Sequence, residues 1–146
     1  MAVSRWDPFR DLMSIQGDLN ELFGRAFGQG EASRGASWAP VLDVFEDKER
    51  FTITVELPGL GPKDVDISVE EGILTISGER SFYREMDDSG FHRVERRFGT
   101  FARTLNLPTT ADPNRIEASF DAGLLTITVP KKEEAKPRKI QVKATE

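Results

Sequence analysis

The sequence has no cysteine, a single histidine and no long apolar run. Without cysteine the chain forms neither disulfides nor a thiolate metal site, and with His92 alone a zinc site would need mostly carboxylate ligands. No stretch approaches the roughly 20 apolar residues of a membrane span, and the N-terminal MAVSRWDPFRDL lacks the continuous apolar run of a signal peptide. We therefore expect a soluble, cytoplasmic protein that needs no metal or other cofactor.

Signatures of catalysis are missing as well. The sequence contains no G-x-S-x-G, no phosphate-binding loop and no H-E-x-x-H. ELPGLGPKD (56–64) superficially resembles a glycine-rich phosphate loop, but no helical pattern follows it and Pro62 removes a backbone donor, which favours a turn. His92 lies in a polar loop, where a surface residue is favoured over a general base. We expect a protein that is not an enzyme, since a hydrolase using loop carboxylates has no motif behind it.

The chain has enough apolar material for one folded domain, because 38% of its 146 residues are hydrophobic. Its formal net charge of -5 is spread unevenly, with -1 on residues 1–40, -7 on 41–130 and +3 on 131–146. An acidic middle argues against a nucleic-acid surface, and Glu95 interrupts the one basic run, RVERRF (93–98). For the basic tail two interpretations stay open, docking on acidic protein and simple solubility.

Residues 1–40 have the pattern of an N-terminal arm. Asp7 and Pro8 are typical of a helix N-cap followed by the first helical position, and apolar residues then recur at helical spacings. Gly17 interrupts this stripe, so one helix or two short ones are possible. GQGEASRGAS (28–37) has the composition of a flexible linker. The stripe consists of Phe9, Leu12, Met13, Leu19, Leu22, Phe23 and Phe27.

Residues 41–130 change to the alternating pattern of half-buried strands. In FTITVEL, for example, Phe51, Ile53, Val55 and Leu57 share one face. Short apolar runs of this kind, separated by turn signals, predict an antiparallel β-sandwich. The predicted strands cover residues 41–46, 51–57, 65–69, 73–77, 101–107, 116–120 and 124–129.

Two strand pairs echo each other in sequence. ISVEEGILTIS (67–77) and ASFDAGLLTIT (118–128) share a strand, an acidic residue, any residue, a glycine, an aliphatic residue and Leu-Thr-Ile. Both predict hairpins in which Gly72 and Gly123 take the left-handed position of a three-residue loop. Two copies are too few for a solenoid, so we interpret the echo as chance reuse of hairpin chemistry.

A long connection, residues 80–100, separates two of the predicted strands. Phe82, Tyr83 and Phe91 flank the turn signal DSG (88–90), so part of the connection is expected to form a strand whose aromatic residues need a partner surface. In the next strand, FARTLNL, Arg103 shares a face with Phe101 if the strand is regular. A guanidinium there needs carboxylate or carbonyl partners, because an unpaired buried charge is very costly. The open alternative is a bulge that turns Arg103 to solvent.

Residues 131–146 form a C-terminal extension. KKEEAKPRK (131–139) is charged and has no apolar anchor, which predicts a mobile tether. Ile140 and Val142 follow as the only large apolar side chains of the tail. Two alternating residues cannot form a core, so they need another surface.

Together, ELPGLGPKDVDISVEEGILTISGER, FGTFARTLNLP, IEASFDAGLLTITVPK and the I-x-V of IQV resemble the small heat-shock proteins of the bacterial type, which are built on the α-crystallin domain. The resemblance covers about residues 35–146 and the N-terminal WDPFRDL. It implies an immunoglobulin-like antiparallel β-sandwich between a helical or partly disordered N-terminal arm and a flexible C-terminal extension. The echoed hairpins would then lie in opposite sheets.

The resemblance also implies how copies of the chain assemble. Ile140 and Val142 would fill a hydrophobic groove of a neighbouring subunit. The long connection would donate a strand to the edge strand VLDVFE (41–46) of a second copy and make a dimer, with Phe82, Tyr83, Phe91 and Arg103 at the interface. The groove residues carried over from the family are Val65, Ile67, Val69, Ile116, Ala118 and Phe120.

The function that follows from the resemblance is an ATP-independent chaperone, or holdase, that binds unfolding proteins and prevents their aggregation. Its expected partners are copies of itself and partially unfolded clients, not nucleic acid or a membrane. An adaptor or cochaperone sandwich that binds one folded partner is the alternative, although an adaptor does not need the I-x-V tail. The apolar arm has two compatible interpretations, burial between subunits and client binding. The client-binding residues would be Trp6, Phe9, Leu12, Met13, Leu19, Leu22, Phe23 and Phe27.

Overall fold

A computed structural model describes residues 36–82 and 88–145 of the chain. Within these ranges the chain forms antiparallel strands joined by short connections, with 3-10 turns at Pro62–Asp64, Asp88–Gly90 and Glu133–Ala135. The arm residues 1–35, with the whole apolar stripe, lie outside the described residues, as does Tyr83. The strands are β1 (Leu42–Glu46), β2 (Arg50–Glu56), β3 (Val65–Glu70), β4 (Ile73–Arg80), β5 (Gly99–Asn106), β6 (Glu117–Asp121) and β7 (Leu124–Pro130).

The strands form two sheets that pack face to face. One sheet has the order β1-β2-β7-β6 and the other the order β3-β4-β5, with antiparallel pairing throughout. The echoed hairpins, β3-β4 and β6-β7, therefore lie in opposite sheets. This arrangement confirms the predicted all-β sandwich, and the seven strands predicted within residues 41–129 are present with their bounds shifted by a few residues at most.

The core lies between the sheets and is built from the alternating residues of the central strands. Ile53 and Val55 on β2 and Ile127 on β7 are completely buried, as are Leu74 and Ile76 on β4. Each large aliphatic side chain buried in this way contributes roughly 1.5–3 kcal/mol. The alternation seen in the sequence thus places one face of each central strand in the core.

Both hairpin loops differ in length from the expectation. Gly72 and Gly123 have φ values of 76° and 82°, so the left-handed conformation was predicted correctly. The residues before them, Glu71 and Ala122, also have positive φ, 49° in each case. Because Glu70 pairs directly with Ile73, the first loop has two residues, not three, and the second loop matches it. Two consecutive positive φ values are typical of a type I′ turn, whose twist matches that of the flanking strands.

Two other segments also differ from the expectations. The described part of the long connection, 81–82 and 88–98, contains no strand within this single chain. Within the described residues this segment pairs with no strand of either sheet. The extension was expected to be a free tether from Lys131 onwards, but the amide groups of Lys131 and Lys132 donate to the carbonyls of Glu49 and Thr110, each at 2.8 Å. Residues 137–145 form neither helix nor strand.

Candidate functional site

The ends of the two sheets leave strand edges that a second chain can pair with. In the three-stranded sheet, the amide of Ser37 donates to the carbonyl of Thr100 at 2.9 Å and Trp38 bridges to Phe101, so the segment before β1 covers part of the β5 edge. Within the described residues no strand pairs with the outer edges of β1, β3 and β6. Unpaired edges of this kind are templates for association between chains.

The β3 edge carries the first half of the predicted groove. Val65, Ile67 and Val69 are half-buried and pack against the core, while the alternating Asp66 and Ser68 are exposed. Because β3 has no neighbour on its outer side, part of each apolar side chain stays open to solvent. The structure thus brings these three predicted residues together on one face of one edge strand.

The β6 edge carries the second half, in the opposite sheet. Ile116 and Phe120 are half-buried and pack against the same core as the β3 residues. Ala118 is exposed, so among the predicted groove residues it lies least deeply. The two edges offer apolar surface on either side of the sandwich core, as a docked extended segment requires.

The predicted tail motif is exposed in the single chain. Ile140 has 85% of its surface in contact with solvent and Val142 has 93%. Exposed aliphatic side chains at alternating positions of an extended segment project from the same side. The chain therefore carries both an unsatisfied apolar pair and apolar strand edges, without joining the two within itself.

Arg103 lies on the inner face of β5, because the register between β4 and β5 runs without a bulge and pairs it with the buried Ile76. Its side chain is half-buried, and this desolvation lowers the pKa of its guanidinium from the usual value. No hydrogen bond or ion pair of Arg103 is formed within the part of the chain that the structure describes. Arg103 is not among the residues whose polar atoms are fully buried without a partner, so its half-exposed guanidinium is open to water or to an acceptor from another chain.

Two of the aromatic residues predicted at the dimer interface meet at the base of the long connection. The ring of Phe82 lies 5.3 Å from that of Phe91 and 4.9 Å from that of Phe98. Phe82 still has 37% of its surface exposed. Sequence reasoning missed Phe98, although its position two residues before Thr100 marks the return of the connection to β5. At the β1 edge, which the resemblance implied as the acceptor for a second copy's strand, Val41 and Phe45 are 63% and 64% exposed.

Arg80 is a further residue that sequence reasoning missed. It is only 8% exposed, its guanidinium stacks 4.4 Å above the ring of Trp38, and its Nη1 donates to the carbonyl of Arg97 at 3.2 Å. Its Nε and Nη2 have no acceptor among the described residues. Burial, followed by the charge of Arg96, lowers the pKa of Arg80. The alternation of β4 was a usable signal, since it places Arg80 on the same face as the buried Ile76.

The described residues contain no group of three or more His, Asp or Glu side chains placed to hold a metal ion. No helix among them is long and apolar enough to cross a membrane. The features of the site are instead the open edges, the exposed tail and two desolvated guanidinium groups. This set of features is suited to binding other polypeptide chains.

Comparisons with known proteins agree with this interpretation of the site. The sequence model described as the Hsp20/alpha crystallin family matches residues 43–143. Small heat shock protein C2 of Rickettsia felis is 41% identical over 104 residues, which are 71% of this chain and 68% of the relative.

Solved structures are similar over the same region. A small heat-shock protein from Xylella fastidiosa, described as having a distinct high order structure, is 39% identical with a TM-score of 0.65, over 75% of this chain and 100% of that one. Heat shock protein 16.0 from Schizosaccharomyces pombe is 36% identical with a TM-score of 0.68, over 90% of this chain and 93% of that one. The likeness thus extends well beyond the sandwich in the second case.

Proposed function

We propose that this chain, which belongs to the Hsp20/alpha crystallin family, works as a chaperone that holds unfolding proteins without ATP and keeps them from aggregating. Members of this family are chaperones and not enzymes. The sequence offers no phosphate-binding loop, so holding is passive. One observation carries the proposal: a single chain exposes Ile140 and Val142 while its β3 and β6 edges keep apolar surface open.

The tail of one copy docks into the groove of another. The contact pairs Ile140 and Val142 with the β3 residues Val65, Ile67 and Val69 and with the β6 residues around Phe120. Full burial of an Ile and a Val contributes roughly 3–6 kcal/mol, and ordering the tail offsets much of that gain. One contact is therefore weak, whereas several in a closed assembly reinforce one another through effective concentration. Assemblies built in this way are stable as a whole and exchange subunits readily.

The building block is a dimer made by exchange of the long connection. Residues 91–98 of one copy add to the β1 edge of a second, where Val41 and Phe45 are exposed. The aromatic cluster of Phe82 and Phe91 and the desolvated Arg103 then find partner surface and acceptors. A monomeric adaptor, the alternative function, has no use for an exposed aliphatic tail or for unpaired edges.

Client binding belongs to the N-terminal stripe, from Trp6 to Phe27. Side chains of Phe, Leu and Met adapt to many partner shapes, so a released arm binds unfolded segments without requiring one fitted surface. The assembly buries the arm until subunits separate, and heat favours their separation.

The test is removal of residues 1–37. We expect the shortened chain to keep the β-sandwich, measured by far-UV circular dichroism, and to lose suppression of client aggregation, measured by light scattering of a heated client. A variant that exchanges only the linker 28–37 for a Gly/Ser sequence of equal length serves as the control and should retain suppression. Undiminished suppression by the shortened chain would falsify the assignment of client binding to the arm.

A further inference from the structure

The root of the C-terminal extension is attached to two separate connections of the sandwich. Beyond the end of β7, the amide of Lys131 donates to the carbonyl of Glu49 and the amide of Lys132 to that of Thr110, both at 2.8 Å. The amide of Asp112 donates in turn to the carbonyl of Pro130 at 2.8 Å. The β1-β2 connection and the β5-β6 connection thus enclose the first residues of the extension from both sides.

Arg115 contacts the root of the extension from a turn, residues 112–115, whose sequence favours that turn. In Asp112-Pro113-Asn114-Arg115, Asp stands at the first position and Pro at the second, as a type I turn favours. Asp112 Oδ1 accepts a hydrogen bond from the amide of Asn114 at 3.0 Å. The turn aims the guanidinium so that Nε donates to Asp112 Oδ2 at 2.8 Å and Nη2 donates to the carbonyl of Lys131 at 3.1 Å.

The attachment continues for one further turn of the extension. Arg115 Nη2 lies 3.9 Å from Glu133 Oε1, and Lys136 Nζ donates to the same Glu133 oxygen at 2.9 Å. The amides of Ala135 and Lys136 donate to the carbonyls of Lys132 and Glu133 at 2.9 and 3.3 Å. Lys136 is then extended, with φ of -75° and ψ of 147°, as a residue before proline prefers. The ordered root therefore ends at Lys136.

We infer that Arg115 is a positioning residue for the tail: by clamping residues 131–136 to the sandwich, it presents Ile140 and Val142 on a free tether of residues 137–139. The inference rests on the proposed function, in which a second copy of this chain receives the tail.

The clamp changes how far the tail reaches. Four links from Lys136 to Ile140 span at most about 14 Å, whereas eight links from Lys132, which its own hydrogen bond to Thr110 still holds, would span about 28 Å. When Arg115 holds the root of the extension, the groove that receives Ile140 must lie within about 14 Å of Lys136. Arg115 thereby restricts which arrangements of subunits can form, because a longer tether would serve many more geometries.

The experiment compares Arg115→Ala with Arg138→Ala, which removes the same charge from the exposed tether. Hydrogen exchange is measured at the amides of Ala135 and Lys136, and the distribution of subunit numbers is measured by native mass spectrometry. We expect Arg115→Ala to accelerate exchange of both amides about two- to fivefold and to broaden the distribution. Arg138→Ala should leave the exchange rates of both amides and the distribution of subunit numbers unchanged. Insertion of six Gly/Ser residues after Pro137 should broaden the distribution without altering exchange at Ala135.

Three results would overturn the inference: unchanged exchange in Arg115→Ala, faster exchange with an unchanged distribution of subunit numbers, or equal effects of the two Arg variants. Failure of the proposed function looks different. If the variant Ile140→Ala with Val142→Ala retains the large assemblies, the proposed docking of the tail is wrong. Hydrogen exchange at the amide of Ala135 in that variant still measures whether Arg115 holds the root of the extension. Arg115→Lys, which keeps the charge without the forked donors, should fall between the parent and Arg115→Ala.

Discussion

The loop between β6 and β7 shows how closely two residues can determine a turn. Ala122 and Gly123 both have positive φ, which costs little for glycine and more for a residue with a Cβ atom. A Cβ at position 123 would lie 3.1 Å from the Cα of Pro58, so a larger residue would crowd Pro58 as well as strain the backbone.

Two substitutions in this loop should change stability in opposite directions. Ala122→Asn gives the Asn-Gly pair that type I′ turns prefer and should raise the free energy of unfolding by about 0.5–1 kcal/mol. Gly123→Ala combines strain with the contact to Pro58 and should lower it by about 1–2 kcal/mol. Thermal unfolding at one fixed protein concentration, followed by circular dichroism, measures both. Shifts in the same direction would contradict the assigned turn.

Arg80 and Arg103 present a different problem, because each is desolvated with donors left unpaired among the described residues. Replacing a buried charge by an apolar side chain of similar size is often neutral for a single chain. The described residues supply no acceptor for these donors, and a second copy is the partner that we propose.

Arg103→Met tests this explanation directly. In the background of Ile140→Ala with Val142→Ala, where dimers are the expected species, we predict that Arg103→Met raises the dimer dissociation constant by about tenfold or more. Sedimentation velocity across a concentration series measures it, and Arg138→Met in the exposed tether is the matched control. An unchanged dissociation constant would show that the guanidinium finds no acceptor across the dimer.

At the scale of elements, alternation was the most informative signal in the sequence. In β2 it placed Ile53 and Val55 in the core, and in β3 it placed Val65 and Ile67 on the inner face, because the strand period of two leaves no freedom once one face is buried. The same rule applied to ILTISGER would have placed Arg80 inside. The strand was predicted only to Ser77, so Arg80 fell outside it.

Features that depend on partners distant in sequence were not predictable in this way. The root of the extension is attached by hydrogen bonds to Glu49 and Thr110, and nothing in KKEEAKPRK specifies those carbonyls. The hairpin loops were predicted one residue too long, since a single glycine does not distinguish a two-residue from a three-residue loop when the preceding residue also adopts positive φ. The strand expected in the long connection depends, by the resemblance, on pairing with a second copy, which a single chain does not contain.

The unpaired strand edges are the surfaces through which we propose that copies of the chain associate. β1 exposes Phe45, β3 and β6 keep half-buried apolar side chains at the rim of the core, and the tail exposes two aliphatic residues. A long unprotected edge is a hazard for aggregation. In a chain that assembles with copies of itself, the same edges become specific docking sites.

At the scale of the whole molecule, the proposed function depends on how many weak contacts between subunits form at the same time. In the proposed assembly each tail contact is small after the cost of ordering the tail, so we expect single subunits to leave and return while the assembly persists. Charge supports this arrangement, because the extension carries +3 and residues 41–130 carry -7. By our inference, the short tether held by Arg115 then restricts which subunit each tail reaches.

Native mass spectrometry of the full chain beside its Ile140→Ala, Val142→Ala variant tests tail docking most directly. We predict large assemblies for the parent and dimers for the variant, with identical strand content by circular dichroism. The same large species in both samples, or a monomeric parent at micromolar concentration, would contradict the docking of the tail into a neighbouring copy.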